Sequence, residues 1–219
     1  MMLAIADLLS PGQAQALCEA AQDVEFGDGA ATAGALARGV KANDQATPTP
    51  ERDGILAQVR RALAAHPLFQ SAARPRAVSP LILSRYRVGQ TYGLHVDDAM
   101  MQGLRTDLSF TLFLSDPESY DGGALVIEDR FEARAVRLPA GSLFLYPSTT
   151  LHRVDPLTRG TRLAVIGWVQ SLIRDGGQRE ILFDLDQAIA QALAAQGKSP
   201  LVDTLAKTRS NLLRLWAEP

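Results

Sequence analysis

PLILSRYRVGQTYGLHVDD, residues 80–98, is where the texture of the chain changes. Two short runs, 81–87 and 92–96, are apolar or alternating and are parted by the turn signal Val88-Gly89. Similar runs follow at 108–114, 124–127, 133–138, 142–146, 152–154 and 162–170. Between them lie the breakers Asp116-Pro117, Asp121-Gly122-Gly123, Pro139-Ala140-Gly141, Pro147-Ser148 and Arg159-Gly160. Short strands so closely spaced, with no helical period among them, predict an antiparallel sandwich or barrel rather than a parallel sheet with crossover helices.

Helical signals flank this block. Ser10-Pro11-Gly12-Gln13 combines a capping residue, proline at the first helical position and glutamine three after the cap, so a helix is expected through Ala14, Leu17, Cys18 and Ala21. Residues 27–50 hold small residues and breakers without a period and read as an excursion over the surface. Ile55, Val59 and Leu63 restore helical spacing, which stops at His66-Pro67. After Gly176-Gly177 a stripe of Ile181, Leu182, Leu185, Ile189 and Leu193 ends at Gly197, and Ser199-Pro200 starts a last helix through Leu201, Leu205, Leu212 and Trp216. The expected class is therefore α+β with a mainly β core, N-terminal supporting helices and a C-terminal helical hairpin. One domain over 1–175 carries a helical region, 176–219, that packs on it or on another subunit of a homo-oligomer.

The 219 residues suffice for a sizeable core, and 47% hydrophobic with 21% charged residues is an ordinary globular balance. Twenty-two basic against twenty-four acidic residues leave a formal charge of −2, which gives no domain-wide reason to bind nucleic acid or an anionic membrane. The single Cys18 excludes an intrachain disulfide and a multi-cysteine metal site, and its apolar surroundings favour an inert thiol. The start MMLAIADLLS lacks a basic segment and no stretch is apolar enough to span a membrane, so a cytoplasmic protein is expected.

Histidine occurs three times, at His66, His95 and His152. On a strand, His95 and Asp97 would face one side while Val96 and Asp98 face the other, which selects Asp97 as the partner carboxylate. His152 follows the apolar run 142–146 and a Pro147-Ser148 turn. Two imidazoles and one carboxylate on one face form the donor set of the facial triad that holds iron(II) with positions left open. Arg162, ten residues after His152 and across a turn, brings a planar guanidinium suited to gripping a carboxylate, or else a structural salt bridge. His66, at a helix end before proline, has no assigned task; Tyr146 and Trp168 read as core, and Lys41 and Asn43 as solvated loop residues in preference to parts of a substrate lid.

In their order, His95-x-Asp97, His152 and Arg162 resemble the iron(II)- and 2-oxoglutarate-dependent dioxygenases, in particular the prolyl-4-hydroxylase-like branch and the bacterial PKHD-type hydroxylases within it. Supporting segments are Leu83-Ser84-Arg85-Tyr86 with Gly89 and Tyr92, Asp121-Gly122-Gly123-Ala124-Leu125, Gly141-Ser142-Leu143 and Gly167-Trp168-Val169-Gln170-Ser171. Thr32-Ala33-Gly34, Val40-Lys41-x-Asn43 and the closing helical region extend the likeness over nearly the whole chain. Asp98 adds a second carboxylate beside the motif, and Ala42-Asn43-Asp44 is looser than the family's asparagine-rich pattern.

The resemblance implies a double-stranded β-helix (jelly-roll, cupin-like) in which His95, Asp97 and His152 bind iron(II). It implies that 2-oxoglutarate chelates the metal and pairs its C5 carboxylate with Arg162, that O2 is consumed, and that an unidentified protein side chain, peptide or metabolite is hydroxylated with release of succinate and CO2. L-Ascorbate would rescue mis-oxidised iron, as in related enzymes. Tyr86 and Tyr92 stand between contact with 2-oxoglutarate and ordinary strand packing. Two other readings use the same ligands: a zinc-dependent hydrolase, which leaves Arg162 without a task, and a cupin-like metal-binding module without turnover.

Overall fold

Ser10 opens the first helix through a reciprocal pair: its hydroxyl accepts the Gln13 N–H, and the Gln13 side chain accepts the Ser10 N–H. The computed structural model describes residues 1–32, 34, 37–129 and 131–218; Ala33 of the Thr32-Ala33-Gly34 segment lies outside the described residues. In chain order the elements begin β1 (Leu3–Ile5), α1 (Pro11–Ala20), β2 (Phe26–Asp28), β3 (Lys41–Ala42), β4 (Asp44–Ala46), α2 (Pro50–Ala65), α3 (Pro67–Ala73), β5 (Pro75–Val78), β6 (Ile82–Arg87) and β7 (Thr91–His95). They continue β8 (Met100–Met101), β9 (Leu104–Arg105), β10 (Leu108–Phe113), β11 (Asp121–Gly122), β12 (Leu125–Glu128), β13 (Ala133–Val136), β14 (Leu143–Pro147), β15 (Leu151–Val154), β16 (Leu157–Arg159) and β17 (Thr161–Ser171). The chain closes with α4 (Gly176–Gln196) and α5 (Pro200–Trp216).

Two antiparallel sheets make the barrel. The larger runs β1-β14-β10-β17-β6-β4-β2, with β5 on the far part of β17, and the smaller runs β13-β12-β15-β7-β3. Strand β10 explains the layering, because it is buried on both faces. Leu108, Phe110 and Leu112 join Leu17, Ile55, Val59, Leu63 and Phe69 of α1, α2 and α3 in the main apolar core. Alternate residues Ser109, Thr111 and Phe113 turn toward the smaller sheet, where Phe113, Phe144 and Tyr146 pack on Leu125, Ile127 and Val136. This is the antiparallel barrel that the strand pattern predicts, in the jelly-roll form that the resemblance implies, plugged by apolar side chains at one part and lined by hydroxyls at another.

The eight expected strands are all present, within a residue or two at most of their ends. The 27–50 excursion is a correction: it contains β2, β3 and β4 and buries Asn43, Asp44 and Gln45. Their polarity hid them, and burial is offset by bonds: Asn43 Nδ2 donates to Ser84 Oγ at 2.8 Å, while Arg85, Arg87 and Gln90 converge on Asp44. Arg85 and Arg87 are thus tied to Asp44. His66-Pro67 ends one helix and starts another, since His66 Nδ1 accepts the Phe69 N–H and Pro67 occupies the first turn of α3.

The C-terminal hairpin forms as expected, but its stripe is only partly covered. Leu182 and Val202 are buried, whereas Ile181, Leu193 and Leu201 are about half exposed. Its attachment is ionic as much as apolar: Asp186 of α4 accepts from Ser71 and Arg74 beside α3, both at 2.6 Å, and from Arg209 of α5 at 3.1 Å. Asp186→Ala leaves two guanidinium groups without their carboxylate and should cost about 3 kcal/mol of stability. Chemical denaturation checks this, and an unchanged midpoint would show that Asp186 ties nothing down.

Candidate active site

Strand β7 ends at His95, so Asp97 lies just beyond the strand rather than on its face as the alternation argument assumed. What places it is β10: Ser109 Oγ donates to Asp97 Oδ2 at 2.5 Å and lies 2.8 Å from Ser148 Oγ. The other carboxylate oxygen, Oδ1, faces Nε2 of His95 at 4.0 Å and Nε2 of His152 at 3.8 Å. Asp98 is exposed beside it. β15 pairs with β7 so that His152 stands opposite His95, and their ring centroids are 4.2 Å apart.

Both imidazoles are oriented from behind. Nδ1 of His95 lies 2.8 Å from the Gly93 carbonyl and Nδ1 of His152 lies 3.0 Å from that of Thr150. A carbonyl only accepts, so each Nδ1 carries the proton and each Nε2 keeps a free lone pair on the side where Asp97 Oδ1 lies. Burial, together with the neighbouring His152, pulls the His95 pKa down to about 4, which leaves it neutral at pH 7 as a metal ligand must be. One donor atom from each of His95, Asp97 and His152 lies within 4.8 Å of the others. This donor set, with hard oxygen, two imidazoles and open space beside them, suits iron(II).

The three residues border a cavity of about 450 Å³ that also contains Tyr86, Tyr92, Tyr146, Arg162 and Trp168. Arg162 sits opposite Tyr86 in the β6–β17 pairing and is 2% exposed. Its guanidinium lies 5.4 Å from the Tyr86 ring and 5.3 Å from Phe113, and no carboxylate among the described residues pairs with it. The salt-bridge alternative for Arg162 therefore has no partner here. Its buried Nε has no hydrogen-bond acceptor among the described residues, and the far carboxylate of a dianionic oxo acid fits that orphaned donor. Gly123, at φ +60°, makes room for the arginine stem, because a Cβ there would lie 3.2 Å from Arg162 Cδ and 2.7 Å from Leu157 Cδ1.

Tyr86 is buried beside the arginine, and burial raises its phenol to about 12, keeping it a neutral hydroxyl. Tyr92 stacks on His95, centroids 3.6 Å apart at 15°, and packs against the cluster that holds Tyr86, so it stands between the metal-ligand and arginine ends of the cavity. Several lining residues escape the sequence reading. Tyr146 and Trp168 line the cavity instead of only filling the core, and Lys41 lines it too. Burial lowers Lys41 to about 8, so it is still mostly charged at pH 7. Ser109 was visible as half of a signal: Ser109 and Thr111 are hydroxyls two apart in a run that is otherwise apolar on both faces. Cys18 donates to the Leu114 carbonyl at 3.0 Å away from the site, and burial pushes its thiol up, as an inert cysteine requires.

Comparison with known proteins gives consistent results. A family model described as 2OG-Fe(II) oxygenase superfamily matches residues 81–170, and one described as PKHD-type hydroxylase C-terminal domain matches residues 176–218. A PKHD-type hydroxylase of Maricaulis maris is 52% identical over 193 residues, 88% of each chain. One from a Picosynechococcus species is 48% identical over the full length of both chains. Among solved structures, a Pseudomonas putida prolyl-4-hydroxylase shares the fold with a TM-score of 0.54 and 23% identity, over 78% of this chain and 92% of that one. A Trichoplax adhaerens prolyl hydroxylase in complex with a hypoxia inducible factor peptide also scores 0.54, at 14% identity over 77% and 82% of the two chains.

Proposed function

This chain belongs to the PKHD-type hydroxylases and the 2OG-Fe(II) oxygenase superfamily, and on that premise we propose that His95, Asp97 and His152 hold its iron and that Arg162 anchors its cosubstrate. Membership makes it an iron(II)- and 2-oxoglutarate-dependent dioxygenase that hydroxylates a substrate. The observation that carries the residue assignment is one cavity in which three converging donors and a buried arginine without a carboxylate partner meet.

Bound there, iron(II) would let O2 supply one oxygen atom to the oxidative decarboxylation of 2-oxoglutarate, which yields succinate and CO2, and the other to the hydroxylation of a C–H bond. The chain's part is order and exclusion. Ser109 holds Asp97 by one oxygen and leaves the other for the metal, while the Gly93 and Thr150 carbonyls lock both imidazole tautomers. Arg162 neutralises the far carboxylate of the cosubstrate, with Tyr86 beside it as a neutral donor, and Tyr92 braces His95. Leu125, Ile82 and Ile166 give the cavity apolar walls that keep water from the oxidant.

The same reading assigns 1–175 to the dioxygenase domain and 176–219 to a helical region that buttresses it, with Asp175 capping α4 at the boundary. No helix among the described residues is long and apolar enough to cross a membrane. Anaerobic titration of metal-free protein with iron(II) and then 2-oxoglutarate tests the assignment. A saturable visible charge-transfer band is expected, followed by succinate release on admission of oxygen. No band, together with tightly retained zinc, would move the hydrolase reading to the front.

A further inference from the structure

Arg162 and Tyr120 are the two largest fully buried side chains among the described residues. Each carries a buried polar atom with no hydrogen-bond partner there: Nε of the arginine and the hydroxyl of the tyrosine. The arginine has been given a ligand above. Tyr120 has not, although a phenol at 0% exposure ordinarily finds a partner for its hydroxyl.

The two side chains are neighbours. A Cβ placed on Gly123 would lie 3.2 Å from Arg162 Cδ and 3.7 Å from Tyr120 Cδ2, and one placed on Gly160, two residues before the arginine, would lie 3.1 Å from Tyr120 Cβ. Tyr120 packs with Tyr86, Val154 and Leu157 in one buried cluster, and Tyr86 and Val154 also border the cavity. The guanidinium of Arg137 lies 4.7 Å from the centre of the Tyr120 ring and donates to the Tyr120 carbonyl at 2.6 Å. Ring and backbone thus fix the phenol, and its hydroxyl takes no part in that hold. The other buried tyrosines of the cavity differ: the Tyr86 hydroxyl has that of Ser84 for a neighbour, and the Tyr146 hydroxyl that of Thr111.

Resting on the assignment of Arg162 to the cosubstrate, we propose that Tyr120 is a second anchor for the far carboxylate of 2-oxoglutarate, its O–H donating to that carboxylate beside the arginine. A carboxylate offers two oxygens and about four lone-pair sites, enough to serve a guanidinium and a phenol together. In the cosubstrate-free protein the buried hydroxyl bears its desolvation uncompensated, and the carboxylate relieves it on binding. A 2-oxo acid that ends in a methyl group leaves both buried donors unpaired, so Tyr120 adds to the selection of the cosubstrate by its far end.

The test titrates full-length, iron(II)-loaded protein under nitrogen with 2-oxoglutarate and with 2-oxopentanoate, which carries a methyl group in place of the far carboxylate. The visible charge-transfer band reports each affinity. Tyr120→Phe removes one oxygen atom and keeps the ring, so the fold should survive; its melting temperature without ligands should equal or exceed the parent's, because an unpaired buried hydroxyl is gone. The variant should bind 2-oxoglutarate about tenfold more weakly, 2-oxopentanoate as the parent does, and iron(II) with unchanged affinity. Equal 2-oxoglutarate affinity in the two proteins would overturn the proposal. So would an equal weakening of both acids, which would reduce Tyr120 to a packing residue, or a lower melting temperature without ligands, which would mean that the hydroxyl already has a partner. A parent protein that binds the two acids alike is a different result: it overturns the Arg162 assignment on which the proposal stands.

Discussion

Arg162→Ala should bind 2-oxoglutarate on the order of 100-fold more weakly than the parent protein while taking up iron(II) with unchanged affinity. That factor corresponds to about 3 kcal/mol, the scale of losing a two-pronged charge-assisted contact in a buried site. Stability should move the other way. The cosubstrate-free protein keeps a 2% exposed guanidinium with no carboxylate beside it among the described residues, packed against the Tyr86 and Phe113 rings. Arg162→Met, close in length and apolar, should therefore melt a few degrees higher than the parent when both lack 2-oxoglutarate. Added 2-oxoglutarate should then raise the melting temperature of the metal-loaded parent and leave the variant where it was. Thermal melts with and without the cosubstrate decide the matter; equal 2-oxoglutarate affinity in both proteins would end the assigned role.

Asp97→Ala should abolish measurable iron(II) binding, whereas Asp98→Ala should retain it. Asp97 Oδ1 lies within 4.0 Å of both imidazole Nε2 atoms, while Asp98 points to the exposed rim. Ser109→Ala should fall between, at roughly 10- to 100-fold weaker binding, because it removes the donor that holds Asp97 in place without removing a ligand. Competition against a metal-sensitive dye under nitrogen gives all three affinities. Loss in Asp98→Ala as severe as in Asp97→Ala would mean the carboxylates have been exchanged.

The barrel was readable because turn breakers punctuate it and its strands are apolar on a period of two. What could not be read was polar and short. The segment 41–46 forms two strands of two and three residues whose burial depends on partners forty residues away, such as Ser84 for Asn43 and Arg85 for Asp44. No local pattern announces such a bond. The same limit governs the cavity. His95, Asp97, His152 and Arg162 stand out by side-chain chemistry and order, but the choice of Asp97 over Asp98 rested on strand alternation, and β7 has already ended at His95. The right geometry follows from Ser109 and Ser148, residues that a strand reading sees only as tolerated polar positions. Lys41 and Trp168 were read as loop and core because lining a cavity is a property of the assembled sheets, not of either segment.

The hairpin of β8 and β9 contributes Met100, Met101 and Gln102 to the cavity lining, and its Arg105 reaches Glu218 at 2.9 Å, 113 residues away. Glu218 is in turn bonded through its N–H to the Leu172 carbonyl at the end of the central strand. One wall of the entrance is therefore braced by a part of the chain that never touches the cavity. Two relatives with identical linings but different tails would hold this hairpin at different heights, so their tolerance for bulky substrates could diverge without a single change inside the pocket.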